Sequence, residues 1–165
     1  MDHGPRRKRL RLPHHDYGTP GAYFVTVCTH ERAPLFVEVE GGEVQLNDAG
    51  RMVRDAWMGI PARHPAVALD TFVILPDHLH GIIVLQEPAA SGADLPELMR
   101  RFKSFTTARW RGATGAMRLW QRGYHDRVVR GDGEMDRIRR YIAENPQRWA
   151  QRPDGPSDWD PDESP

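Results

Sequence analysis

The order of secondary-structure signals along the 165-residue chain predicts an α+β fold with one antiparallel sheet. Segments rich in β-branched and aromatic residues alternate with segments whose apolar residues recur at helical spacing. The resulting order is strand, helix, strand, strand, helix, strand. This is the order of the ferredoxin-like split βαβ fold, so we expect an antiparallel sheet with helices packed on one face.

The strands are predicted from runs of Val, Ile, Thr, Tyr and Phe. They cover residues 22–29, 67–74, 81–86 and 124–129, with a small hairpin at 37–46. Residues 22–29 are expected to form a central strand. Gly41 and Gly42 can adopt the positive φ angles of a tight hairpin turn, although an irregular loop would fit this stretch equally well.

The helices are predicted from capping residues and apolar stripes. Asn47 is a good N-cap for a first helix, which Pro61 and Pro65 are expected to end. A second helix begins near residue 95. The last helix starts near Asp132, and Asn145-Pro146 is expected to end or kink it.

Length and composition favour one folded domain in a cytoplasmic protein. No apolar run approaches the roughly 18 residues that span a bilayer, so no membrane association is expected. Cys28 is the only cysteine, which excludes an internal disulfide framework. The expected organisation is a basic N-terminal arm (1–20), a folded domain (21–151) and an acidic, disordered tail (152–165).

Charge is segregated along the chain although the formal net charge is zero. Between Arg100 and Arg140 there are twelve basic residues and only four acidic ones. The arm adds a further basic cluster, and acidic residues are concentrated in the tail. This segregation indicates a positive face for phosphates, although charge alone does not distinguish it from a solvated helix surface.

His78 and His80 are the strongest candidates for a metal site. In an extended chain alternate side chains share a face, so both imidazoles point to one side with Leu79 opposite. Two imidazoles at the end of a buried strand can bind one metal ion. Two ligands alone cannot close such a site, and two ordinary histidines at a strand end would give the same pattern.

Tyr141 and Asn145 are the candidates for the rest of the site. They are four residues apart on the last predicted helix, so they lie on one helical face. If that helix packs over the histidines, a phenol would stand beside an amide oxygen that completes a site for Mg²⁺ or Mn²⁺. Alternatively, Tyr141 only flanks the apolar stripe and Asn145 only ends the helix.

Five blocks of sequence, in order over about residues 17–150, resemble a known family. The blocks are Tyr23–His30 with Pro34–Phe36, Leu75–His80, Phe102–Thr106, Trp120–Asp126 and Tyr141–Pro146. They resemble the IS200/IS605-like single-tyrosine transposases, specifically the REP-associated branch. These proteins belong to the HUH endonucleases, named for two histidines separated by a hydrophobic residue.

The resemblance implies that residues 21–151 form a nuclease domain that cleaves and rejoins single-stranded DNA near hairpins. It implies that His78 and His80 hold a divalent metal ion and that Tyr141 attacks phosphorus to give a 5′-phosphotyrosine. Asn145 matches a polar position where related transposases use a glutamine ligand. The asparagine side chain is shorter than that glutamine.

DNA contacts are expected from the basic residues and from exposed aromatic rings. The candidates are Arg6, Arg7, Lys8, Arg9, Arg101, Lys103, Arg109, Trp120, Tyr124 and His125. Core packing is the alternative for the aromatic rings.

Other readings stay open at this point. Tyr124 is a rival nucleophile, and the chain could be a non-catalytic nucleic-acid-binding module or a hydrolase that uses water. The chain could act as a monomer or a homodimer.

Overall fold

The computed structural model describes residues 16–87 and 94–150. The strands are β1 (Gly21–Cys28), β2 (Val37–Glu40), β3 (Glu43–Leu46), β4 (Val67–Leu75), β5 (His78–Leu85) and β6 (His125–Val129). The helices are α1 (Asp48–Met58), α2 (Ile60–Arg63), α3 (Leu95–Thr114) and α4 (Asp132–Ala150), with a 3₁₀ turn at His30–Arg32. The acidic tail and residues 1–15 of the basic arm lie outside the described residues.

The four-stranded sheet has the order β4-β5-β1-β6, and all of its neighbouring strands are antiparallel. The connection through α1 joins β1 to β4, and α3 joins β5 to β6. Each connection therefore skips one strand, which is the split βαβ arrangement. The predicted fold class is confirmed, and β1 is central as expected.

The predicted capping and turn residues have the structural roles that the sequence indicates. The Asn47 side chain accepts a hydrogen bond from the Gly50 amide at 3.0 Å, which caps α1. Gly41 and Gly42 have φ angles of 61° and 84°, as the turn of the β2–β3 hairpin requires. Gly81 is required by close approach instead, since a Cβ atom there would lie 2.4 Å from the ring of Trp57.

The expectation that Pro61 and Pro65 end the first helix is wrong, and of the two outcomes expected at Pro146, an end or a kink, the end does not occur. Helix α1 already ends at Met58, and Pro61 lies in the first turn of the separate helix α2, where its missing amide hydrogen costs nothing. Pro146 does not end the last helix, because α4 continues through it to Ala150. A proline inside a helix removes one backbone hydrogen bond, but α4 still extends four residues beyond Pro146, to Ala150.

The helices occupy both faces of the sheet. Helices α1 and α3 share one face, where their apolar residues form the larger core around Trp57 and Phe102 with Val25 of β1. Helix α4 lies on the opposite face, where Ile138 and Ile142 form the centre of a smaller cluster. The expectation that helices share one face therefore holds for the two crossover helices and not for α4.

None of the helices in the described ranges is long and apolar enough to cross a membrane.

Candidate active site

His78 and His80 converge on one point at the start of β5. Their side chains lie on the α4 face of the sheet, since strand residues two apart share a face. The two Nε2 atoms are 3.1 Å apart, and the two rings stand at 78° to each other. Both histidines are buried. The predicted placement of both side chains on one face of the strand is confirmed, and their role as metal ligands stays a prediction.

Each imidazole is held by a different neighbouring side chain, which contacts its Nδ1 atom. His78 Nδ1 donates to the buried Asp77 carboxylate at 2.6 Å, so its Nε2 atom carries a bare lone pair. His80 Nδ1 lies 2.7 Å from the Thr26 hydroxyl. These contacts turn both Nε2 atoms toward each other. If the Thr26 hydroxyl donates to His80 Nδ1, His80 Nε2 donates to His78 Nε2, and if the hydroxyl accepts, both Nε2 atoms present lone pairs to a cation.

The donor set fits a divalent metal ion. Two nitrogen ligands about 2.1 Å from one ion and at right angles to each other are about 3.0 Å apart, close to the separation of these two Nε2 atoms. Burial, followed by the charges of His78, Arg32 and His125, holds the pKa of His80 well below its ordinary value. Burial also lowers the pKa of His78, against the opposing effect of Asp77. Both rings are thus neutral at neutral pH, the form that binds metal.

Arg32 supports this pair through Asp77. Its Nε atom lies 2.9 Å from Asp77 Oδ2, while its Nη1 atom donates to Cys28 Sγ at 2.7 Å. Arg32 and Glu31 both have left-handed backbones, with φ angles of 56° and 55°. Such angles are unfavourable for residues other than glycine and are found where the surroundings fix a functional geometry.

Tyr141 lies next to the histidines, because α4 packs over the site face. Its ring centroid is 5.5 Å from that of His80 and 6.1 Å from that of Phe24. The guanidinium of Arg148 lies 5.7 Å from the Tyr141 ring centroid, within the range of a cation–π contact. The helix therefore brings the predicted nucleophile to the predicted metal ligands.

Asn145 is buried one turn after Tyr141, on the same side of α4. Its Nδ2 atom is 3.5 Å from the Tyr141 carbonyl oxygen, at the outer limit of a hydrogen bond. Its role as a metal ligand stays a prediction. In residues 16–87 and 94–150, no group of three His, Cys, Asp or Glu side chains is arranged to hold a metal ion.

His125 is a third histidine on this face. It lies directly opposite Thr26 in the β1–β6 register, so the two side chains project to the same side. Burial, followed by the charge of Arg32, lowers the pKa of His125. Its predicted contact with DNA stays a prediction, and its position borders the histidine pair.

The aromatic candidates for base stacking require correction. Trp120 packs against Phe36 and Phe102, and its indole N–H donates to Thr106 at 2.8 Å. Tyr124 is 7% exposed and belongs to the α1/α3 core. Neither ring is exposed enough to stack on a base, so core packing explains both. Tyr124 also lies on the other face of the sheet from His80, which removes it as a rival nucleophile.

The basic candidates differ in their surroundings. Arg101 is exposed and paired with Glu97 at 2.7 Å, and Arg109 lies 5.5 Å from the ring centroid of Phe105. Lys103 is partly buried, and its ammonium donates to the backbone carbonyl of Gln121 at 2.7 Å. Their contacts with DNA stay predictions. The arm candidates Arg6, Arg7, Lys8 and Arg9 lie outside the described residues.

The sequence interpretation missed Asp77, Thr26 and Arg32 as parts of the site. The position of Asp77 directly before His78 was a usable signal, because histidine ligands are commonly oriented by a carboxylate. Thr26 and Arg32 become visible only when β1 and β5 are placed in register.

The chain is similar in sequence to a protein from another source along most of its length. An uncharacterised protein from Haemophilus influenzae (strain Rd) is 34% identical over 163 residues, which cover 88% of this chain and 91% of the relative. The chain belongs to the family of this protein. No family model matches the chain.

Two solved structures are similar to the chain. A REP-associated tyrosine transposase bound to a REP hairpin has a TM-score of 0.61 and 23% identity, over 84% of this chain and 74% of that one. A proposed transposase from Deinococcus radiodurans R1 has a TM-score of 0.51 and 16% identity, over 81% of this chain and 97% of that one. The resemblance to REP-associated tyrosine transposases is therefore confirmed in the fold.

Proposed function

We propose that the chain is a single-tyrosine transposase of the HUH type, which cleaves and rejoins single-stranded DNA beside hairpins. The observation that supports this proposal most strongly is the convergence of the two Nε2 atoms, 3.1 Å apart, next to the ring of Tyr141. A hairpin is the ligand of the similar transposase structure. A hairpin-bearing single strand is therefore the substrate that we propose here.

In the proposed reaction, the Tyr141 hydroxyl attacks the scissile phosphorus. A bond forms between phosphorus and the phenolic oxygen, and the bond from phosphorus to the 3′ oxygen breaks. The proton lost by the phenol is balanced by the proton that the released 3′ oxygen gains, which gives a 5′-phosphotyrosine and a free 3′-OH. Because the covalent adduct conserves the phosphodiester energy, the strand can be rejoined without another energy source.

The residues around Tyr141 have distinct roles in this proposal. His78 and His80, with Asn145 as the predicted third ligand, would hold Mg²⁺ or Mn²⁺, whose positive charge polarises the scissile phosphate. Asp77 fixes the orientation of the His78 imidazole, and Thr26 that of the His80 imidazole, because each contacts the Nδ1 atom of the ring. The apolar contacts of α4 hold the phenol at the site.

The test is covalent capture of labelled DNA. The full chain is incubated with Mn²⁺ and a labelled single-stranded oligonucleotide that contains a hairpin. We expect Tyr141→Phe to lose both cleavage and the protein–DNA adduct by at least about 1,000-fold, because the nucleophile is absent. Tyr124→Phe is the matched control, since Tyr124 lies in the core on the other face, and it should keep both activities.

Two results would favour other functions. Cleavage by Tyr141→Phe without an adduct would indicate a hydrolase that activates water. Hairpin binding by the wild-type chain, with neither cleavage nor adduct, would favour a non-catalytic single-stranded nucleic-acid-binding module of ferredoxin-like fold.

A further inference from the structure

A basic groove lies between α3 and the segment 117–120, away from the histidine pair. It has a volume of about 310 Å³ and is lined by Lys103, Arg111 and Arg118 together with the hydroxyl side chains of Ser104 and Thr107. No carboxylate belongs to its lining. The chemistry of this surface, cations beside hydroxyl donors, suits phosphate oxygens.

The positive charge of the groove is not neutralised within the described part of the chain. Many surface arginines elsewhere are neutralised by a carboxylate, as in Arg101 with Glu97 and Arg139 with Asp70. Arg111 and Arg118, by contrast, form no ion pair with any described residue. An unneutralised pair of guanidinium groups in a concave surface concentrates positive potential there.

Lys103 connects the groove to the loop after it. Its ammonium donates to the carbonyl oxygens of Gln121 and Gly123, which fixes the wall of the groove opposite α3. Burial lowers the pKa of Lys103 to about 8, so at neutral pH the side chain still carries most of its charge. Lys103 therefore shapes the groove and adds to its field.

The groove and the histidine pair lie near the same end of the sheet but on opposite faces, since α3 packs on the α1/α3 face and the histidine side chains lie on the α4 face. The Gln121 amide bonds to the Cys28 carbonyl at 2.9 Å, and the His30 amide bonds to the Leu119 carbonyl at 2.9 Å. On its other side, Cys28 pairs with His78. Segment 119–121 is thus about two strand spacings, roughly 10 Å, from the start of β5. Because the groove faces away from the histidine side chains, the strand has to pass around this end of the sheet, and the groove is out of reach of a single flanking nucleotide.

We propose that this groove binds the phosphate backbone of the DNA that flanks the cleaved phosphate, a few nucleotides from it. The proposal rests on the proposed function, since it takes the histidine pair as the point of cleavage. Arg111 and Arg118 would contact phosphates, with Ser104 and Thr107 as hydroxyl donors. Such contacts position the strand and carry no base preference.

The test uses the full chain with Arg111→Gln and Arg118→Gln combined, because glutamine keeps the chain length and removes the charge. Affinity for a fluorescent hairpin DNA with an eight-nucleotide single-stranded flank is measured across a salt series. We expect about tenfold weaker binding near 0.1 M salt and a salt slope smaller by about 1.5, from two lost phosphate contacts.

A shorter DNA locates the contact. With flanks of only one nucleotide on each side, the strand does not reach the groove, so the same double variant should lose distinctly less affinity. The control is Arg51→Gln with Arg54→Gln, which removes two positive charges from partly exposed side chains of α1 that pair with Asp48 and Asp55. That control should bind both DNAs like the wild type, apart from a small general charge effect.

The outcomes separate this proposal from the function on which it rests. If the wild-type chain neither binds nor cleaves the hairpin DNA, the proposed function fails. If the wild type cleaves while the groove variant binds as the α1 control does, only the groove proposal is overturned. An equal loss on long and short flanks would also overturn it, because the arginines would then act through bulk charge or through the hairpin itself.

Discussion

The two faces of the sheet are built from the same strands and differ sharply in what they bury. On the α1/α3 face, β1 contributes Tyr23, Val25 and Val27 to a large apolar core. On the α4 face, the alternate positions Thr26 and Cys28 are polar or weakly polar, and Phe24 joins a small apolar cluster against which Ala22 also packs. One face therefore supplies most of the folding energy, and the other carries the polar groups of the candidate site.

This difference has a consequence for α4. The helix that carries Tyr141 is held by a small apolar cluster around Ile138 and Ile142 and by the forked ion pair between Arg139 and Asp70 of β4. Burial of less apolar area gives a smaller stabilisation, at roughly 25 cal/mol per Å². The nucleophile helix should therefore be the element that opens most easily without unfolding the sheet.

Removing a large side chain from each face of the sheet should give the largest changes in the free energy of unfolding and tests the difference between the two faces. Trp57→Ala empties the space next to Gly81 and Phe102, so we expect a loss of about 3–5 kcal/mol in the free energy of unfolding. Ile142→Ala on α4 should cost about 2 kcal/mol, at the low end for such a change, because its cluster is small. Urea denaturation measures both values.

Hydrogen exchange shows which segments lose protection in each of these two variants. Ile142→Ala should speed exchange in residues 132–150 while the strands stay protected, whereas Trp57→Ala should weaken protection throughout the sheet. Uniform loss of protection in Ile142→Ala would show that α4 and the sheet open as one unit, and the comparison of faces would fail.

Asp77→Asn tests the polar groups on the α4 face of the sheet. The amide can still accept a hydrogen bond from His78 Nδ1, but the charge that faces Arg32 and the imidazole is lost. Removing an outer carboxylate of this type lowers metal affinity by about 10- to 100-fold. Calorimetric titration with Mn²⁺ measures the change without relying on cleavage.

The control for Asp77→Asn is Asp55→Asn, an equal change of charge on the exposed surface of α1, where Asp55 pairs with Arg54. It should leave Mn²⁺ affinity unchanged. If Asp77→Asn also leaves it unchanged, Asp77 does not orient a metal ligand.

The sequence predicted those parts of the site that follow from periodicity. The two-residue repeat of a strand is sufficient to place His78 and His80 on one face, and the four-residue spacing of a helix aligns Tyr141 with Asn145. The strand and helix order predicted the sheet topology for the same reason, since few topologies fit that order.

The parts that were missed depend on long-range contacts. The order of elements does not decide on which face α4 packs after the last strand, and Trp120 is buried against Phe36 and Phe102, which are distant from it in sequence. The Arg32–Asp77 contact requires left-handed backbone at Glu31 and Arg32, and no glycine marks that turn. Local sequence patterns do not predict such contacts.

The smallest expected effect concerns the ion pair that joins α4 to β4. Arg139 Nη2 and Nε lie 2.8 and 2.9 Å from the two Asp70 oxygens, and this contact holds the pKa of Asp70 well below its ordinary value. A depressed carboxyl pKa stabilises the fold fully above the unfolded-state value of about 3.9, and the contribution is lost as the pH falls further. Because Arg139 is half exposed, we expect Asp70→Asn to cost no more than about 1 kcal/mol at pH 7.

At pH 3 the wild type and Asp70→Asn should therefore differ less in free energy of unfolding than at pH 7, as measured by urea titrations. Glu144→Gln is the matched control, because its partner Arg148 is on the same helix and the pair does not reach the sheet. It should cost about 0.3–0.5 kcal/mol at pH 7 and leave hydrogen exchange across α4 unchanged, whereas Asp70→Asn should speed it. Equal exchange in the two variants would mean that the apolar cluster alone holds the nucleophile helix on the sheet.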